Sequence, residues 1–136
     1  MRIGIVGCGF IGTTIGGAVE QMEEIESIHL IDMDYERAVQ LGTRLSKAKV
    51  FTSSDMESFI EASDLVIEAA SQSAVFEIVP KVLEMGKDAM ILSVGALVDD
   101  NLWESLQKTA RERSCKIYIP SGAVSGIDGI ISGSMA

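Results

Sequence analysis

The sequence predicts an α/β protein built as a doubly wound parallel sheet of about six strands. Three observations predict it. Short β-branched runs alternate with segments of helical apolar spacing along nearly the whole chain. The runs are apolar at consecutive rather than alternate positions, as strands covered on both faces are. Finally, 136 residues can bury one sizeable core without a metal or disulfide staple.

The elements follow in order. "RIGIV" predicts a strand over residues 2–6, closed by Gly7. Ile11, Ile15, Ala18, Val19 and Met22 recur at helical spacing and predict a helix over 10–22 with one buried face. "SIHLID" is the second strand, "YERAVQLGTRLSK" a helix turning Ala38, Leu41 and Leu45 inward, "KVF" a short third strand and "DMESFIEA" a brief helix. "DLVIEAA" is the fourth strand. In "SQSAVFEIVPKVLEMG" the helical spacing is interrupted by Pro80, which lacks a backbone donor and is expected to break or kink the helix near Val79, before Gly86 ends it. "DAMILSV" is the fifth strand. "DDNLWESLQKTARER" is a helix capped by Asp99 or Asp100, with Leu102, Leu106 and Ala110 inward, and "CKIYIP" is the sixth strand. Six strands suffice for the order 3-2-1-4-5-6, so the sheet is complete by about Ile119.

Composition narrows the function. The net charge of −9 and scattered basic residues oppose nucleic acid and anionic lipid as partners. No apolar run approaches the roughly 18–20 residues of a membrane span, and "MRIGIVGCGF" leads directly into a strand with no cleavable signal pattern. A cytoplasmic protein is expected. Cys8 and Cys115 match no metal-ligand spacing and are read as two reduced, packed thiols; no metal site is expected.

Between the first strand and first helix stands "GCGFIG", with Gly7, Gly9 and Gly12 in the G-x-G-x-x-G spacing of a Rossmann fold. Gly7 is expected to permit the turn, Gly9 to leave room for a pyrophosphate, and Gly12 to let the helix approach the sheet. N–H groups around Phe10 and Ile11, with the positive end of the helix dipole, then face the phosphates. Gly16 and Gly17 each cost ~1 kcal/mol inside a helix and are read as close helix–sheet packing. Asp32 stands twenty residues after Gly12, where a carboxylate accepts hydrogen bonds from the adenosine ribose and repels a 2′-phosphate, so NAD is expected over NADP. Arg37 is the one residue favouring NADP. His29, the single histidine, falls inside strand two, a poor place for acid/base work, and no complete catalytic set is visible.

Two further stretches, "VIEAASQSAV" at 66–75 and "YIPSGAVSGIDG" at 118–129, spaced as they are and together with "GCGFIG" and "ILSVGAL", make the whole chain resemble the L-aspartate dehydrogenase family. The resemblance implies oxidation of L-aspartate with NAD or NADP to iminoaspartate, which hydrolyses to oxaloacetate or enters cofactor biosynthesis, by a two-domain homodimer. It also implies that Ala70 and Ser71, after strand four, and Ala123, after strand six, border the nicotinamide end of the cofactor. Ser125 stands where the family usually has glycine. The family's catalytic histidine and carboxylate-binding basic residues lie beyond this chain. Residues 1–120 are therefore expected to be the cofactor domain. Residues 121–136, where Ile127, Ile130 and Ile131 recur at helical spacing, are expected to begin a second domain that is missing. Two other readings stay open: a non-catalytic NAD-binding module, and another dehydrogenase sharing this first domain.

Overall fold

The computed structural model describes residues 1–120. The strands are β1 (Arg2–Val6), β2 (Ser27–Ile31), β3 (Ala48–Val50), β4 (Leu65–Glu68), β5 (Asp88–Ile91) and β6 (Ile117–Tyr118). Between them run α1 (Phe10–Glu20), α2 (Tyr35–Gly42), α3 (Met56–Glu61), α4 (Gln72–Glu84) and α5 (Asp100–Arg113), with 3-10 turns at Ser53–Asp55 and Val94–Val98. Each neighbouring strand pair is parallel, and the order is β3-β2-β1-β4-β5-β6, as the sequence predicts.

Because strand side chains alternate between faces, the sheet divides the core in two. Ile3, Ile5, Leu30, Leu65 and Ile67 pack with Ile15 and Val19 of α1 and Ala38 and Leu41 of α2. On the opposite face Val66 and Ile91 pack with Phe59, Ile60, Val75, Val79, Val82 and Leu106 of α3, α4 and α5. Each fully buried side chain of this size contributes roughly 1.5–3 kcal/mol through removal from water.

Several expectations are corrected. Pro80 neither breaks nor ends α4, which continues to Glu84. Proline's fixed φ suits a helix, and its missing N–H removes a single i to i−4 bond, the one to the Phe76 carbonyl, Phe76 being itself an exposed residue. The second helix ends at Gly42, five residues early: Thr43 Oγ1 donates to the Gln40 carbonyl, and the Glu20 carboxylate accepts from the N–H groups of Ser46 and Lys47, drawing the chain into β3. Leu45 is buried nonetheless. The first helix likewise ends at Glu20 rather than residue 22. Of the paired glycines, Gly16 packs closely, though mainly on Leu45 and Leu41 near α2; Gly17 is exposed with nothing near it, so packing does not account for it. Asp99, not Asp100, caps α5 by accepting from Leu102 N.

Candidate cofactor-binding site

β1 pairs with β2 on one side and β4 on the other, so the chain winds outward in opposite directions from this point. Loops leaving the carboxyl ends of the two central strands diverge there and open a crevice. Gly7 N donates to the Ile31 carbonyl at 2.9 Å, anchoring the turn after β1 to the end of β2.

The three glycines separate physically. Gly7 has φ +98°, and a Cβ there would lie 2.6 Å from the Ala69 carbonyl oxygen. A Cβ on Gly12 would overlap the Gly7 carbonyl oxygen. Both are therefore demanded by the fold. Gly9 has an ordinary φ of −79° and open space around it, its nearest neighbour being Arg37 Nη1 at 3.9 Å. Neither backbone nor packing needs a glycine at that position.

Gly9 caps α1, and the first intrahelical donor is Thr13 N, which reaches the Gly9 carbonyl at 2.9 Å. The preceding N–H groups, including those of Phe10, Ile11 and Gly12, belong to the first turn, where helices leave donors for an anion. Phe10 is 85% exposed.

Asp32 follows β2 directly. Its Oδ2 accepts from Cys8 N at 2.6 Å and its Oδ1 from Asp34 N at 2.8 Å. Those two bonds lock the carboxylate beside the glycine turn, and a carboxylate still has lone pairs for two hydroxyls. Burial, with Asp32 nearby, pushes the Cys8 thiol up to about 12, so it is an inert packed thiol at neutral pH.

The crevice has a volume of about 870 Å³. Gly7, Gly9, Asp32, Ala70 and Ser71 all line it, so the structure brings together five of the predicted site residues. Phe10, Ile11 and Gly12 form the first turn of the helix beside it. Ala123 lies outside the described residues. A smaller groove of about 210 Å³ shares Gly9 and Arg37 with the crevice and is also lined by Thr13, Gln40 and Arg44. Arg37 stands 3.8 Å from Asp34 in an exposed pair.

His29 is nearly fully buried in mid-sheet, its ring nitrogens 3.2 Å from Ser27 Oγ and 3.1 Å from Ser63 Oγ. Burial, then the charges of Arg2 and Lys49, lower its pKa. It does not line the crevice. Among the described residues no three His, Cys, Asp or Glu side chains are placed to hold a metal ion.

One residue escaped sequence reasoning. Glu68, at the end of β4, is 1% exposed, and five donors converge on it. Oε2 accepts from Ala70 N at 2.9 Å, Ser71 N at 3.0 Å and Ser93 Oγ at 2.8 Å; Oε1 accepts from Leu92 N at 3.2 Å and Ser93 N at 2.9 Å. The available signal was a carboxylate closing an otherwise apolar strand, the counterpart of Asp32 after β2.

Strand order, glycine turn, locked aspartate and crevice at the switch point define a dinucleotide-binding domain of the Rossmann class. Residues 7–120 match the family described as "Homoserine dehydrogenase, NAD binding domain", and the chain belongs to that family. Over its whole length it is 47% identical to an L-aspartate dehydrogenase of Methanosarcina acetivorans, covering 50% of that protein. It is 41% identical to one of Methanothermobacter thermautotrophicus over 99% of this chain and 52% of that protein. The chain thus spans about half the length of the curated relatives it matches. Among solved structures, 88% of the chain superposes on 34% of the WlbA dehydrogenase from Bordetella pertussis in complex with NADH and UDP-GlcNAcA, at TM-score 0.76 and 20% identity. UDP-N-acetylglucosamine 3-dehydrogenase GnnA from Acidithiobacillus ferrooxidans aligns over 88% of this chain and 37% of its own at TM-score 0.75 and 22% identity. These two likenesses concern the fold alone.

Proposed function

We propose that the chain is the NAD-binding half of an L-aspartate dehydrogenase. The observation that carries the cofactor reading is Gly9: a glycine that neither φ nor packing requires, at the mouth of the crevice, leaving room that a side chain would fill. The substrate reading rests on identity to L-aspartate dehydrogenases along the entire chain.

In this reading Gly7, Gly9, Phe10, Ile11 and Gly12 hold the pyrophosphate with backbone donors and the α1 dipole. Asp32 accepts from the adenosine ribose. Ala70 and Ser71, with Ala123, border the nicotinamide. When bound, nicotinamide supplies a hydride acceptor for the aspartate Cα–H; the protein orients the two reactants and shields them. Residues 1–120 are the cofactor domain, and 121–136 open the half that holds aspartate and moves its proton. The intact enzyme is a cytoplasmic homodimer forming iminoaspartate for cofactor biosynthesis, with no nucleic-acid or membrane partner.

Calorimetric titration with NADH and NADPH tests the reading. NADH is expected to bind more tightly by roughly tenfold, on the order of 1.4 kcal/mol, since Asp32 accepts from a ribose hydroxyl and repels a phosphate in its place. Equal or tighter NADPH binding overturns the role of Asp32. Binding of neither overturns the cofactor reading itself.

A further inference from the structure

We propose that Glu68 is a positioning residue for the nicotinamide end of the site, holding two crevice-edge loops at one fixed spacing. The inference rests on the cofactor reading above and extends it to a side chain that does not line the crevice.

Glu68 terminates β4 with its carboxylate buried between the loop that leads into α4 and the loop that follows β5. It engages both. Ala70 N and Ser71 N come from the first loop, Leu92 N, Ser93 N and Ser93 Oγ from the second. The first loop also touches the glycine turn, since the space beside Gly7 is occupied by the Ala69 carbonyl and the Ala70 Cα. Ser71 then caps α4 by accepting from Ala74 N at 3.2 Å. One carboxylate therefore ties the wall formed by Ala69, Ala70 and Ser71 to the second loop, beside a glycine turn that β1 and β2 hold independently. Gln72 adds a contact of the same kind: its side-chain amide occupies the space beside Gly95, in the 3-10 turn after the second loop.

The chemistry is specific to a carboxylate. Each oxygen accepts at least two backbone N–H bonds. An amide in its place must set an NH2 group against backbone donors, whichever way it is flipped: Leu92 N and Ser93 N in one orientation, Ala70 N and Ser71 N in the other. Leu92 N keeps its second bond, to the Glu68 carbonyl oxygen at 3.1 Å, but Ser93 N in the one case, or Ala70 N and Ser71 N in the other, loses its acceptor, which loosens the hold of one loop on the other. The adenosine side, held by Asp32 and the glycine turn, is attached to β1 and β2 and keeps its geometry.

The test compares NADH with ADP-ribose, which lacks the nicotinamide ring, on the 136-residue chain and its Glu68→Gln variant, with circular dichroism confirming the fold. Glu68→Gln is expected to weaken NADH binding about tenfold while ADP-ribose binding stays within about twofold. It is also expected to alter the fluorescence of bound NADH, which reports the ring's surroundings. An equal loss for both ligands, or no loss for either, overturns the proposal. If Glu68→Gln does not fold, Ser93→Ala, which removes only one of the five donors, decides: a loss of about threefold for NADH alone supports the proposal, and an unchanged ratio of the two affinities overturns it. Failure of the parent chain to bind NADH at all instead overturns the cofactor reading on which the proposal stands.

Discussion

At Gly9 the consequences of adding one side chain are separable. Its φ of −79° and extended ψ accept a β-branched residue, and the nearest atom is the flexible end of Arg37 at 3.9 Å. Gly9→Val is expected to cost about 1 kcal/mol through the poorer helix cap, leaving a folded domain, while NADH binding falls by roughly 100-fold or more. Titration beside thermal unfolding checks both, and undiminished binding rejects the assignment of the turn. His29 gives a pH signature instead. Its folded pKa lies below the 6.5 of a free imidazole, chiefly through burial. The unfolded chain therefore takes up a proton first as pH falls, so the stability due to a neutral His29 is complete above pH 6.5 and is lost as pH falls through the folded pKa. Urea unfolding across pH 7.5–5, a range chosen around that value, is expected to show stability dropping toward acid in the parent and a flatter profile in His29→Asn. At this scale the sequence revealed Asp32 by spacing from the glycine turn, and hid Glu68. A glutamate at a strand end looks like any surface carboxylate until β5 delivers Leu92 and Ser93 to it, and no local pattern records which loops will meet.

The elements read well wherever apolar periodicity and punctuation agree: all six strands and five helices stand where the alternation puts them. Errors gather at ends and interruptions, where tertiary contacts outweigh local preference. Pro80 is tolerated inside α4 at the loss of one backbone bond, a modest local cost set against a helix face that buries Val75, Val79 and Val82. α2 is shortened because Glu20, on another helix, captures the N–H groups of Ser46 and Lys47. Gly16 and Gly17, identical in sequence terms, differ in surroundings, and this gives an element-scale test. Gly17→Ala places its methyl in open solvent and is expected to raise the stability of the domain by about 0.5–1 kcal/mol through helix propensity alone. Gly16→Ala must move Leu45, whose Cδ1 is 3.2 Å from the new Cβ, and is expected to gain less or to lose. Denaturant midpoints of the two variants against the parent measure the contrast; equal gains contradict the packing described for Gly16.

For the whole molecule, strand order and crevice position followed from counting strands and finding one glycine turn, because parallel strands joined by short crossovers leave few arrangements open. Aspartate chemistry did not follow from local physics, since the described residues line a crevice for a cofactor and His29, buried in the sheet, stands outside it. NAD reduction with L-aspartate is therefore expected to be absent for the 136-residue chain and present for a protein of the relatives' full length. Robust turnover by the shorter chain, free of contaminating dehydrogenase, contradicts the division of labour. The central place of β1 also has a consequence for biosynthesis. β1 is made first, and it gains β2 as a neighbour once residues 27–31 have emerged from the ribosome, but its other edge waits for residues 65–68 of β4. Through that interval the nascent chain carries an apolar strand with one unpaired edge, the kind of surface that invites pairing with other chains and that chaperones cover. Native-like resistance to protease is accordingly expected to appear in ribosome-bound chains only after β4 has cleared the exit tunnel, so that β2, though made after β1, is flanked on both sides before it.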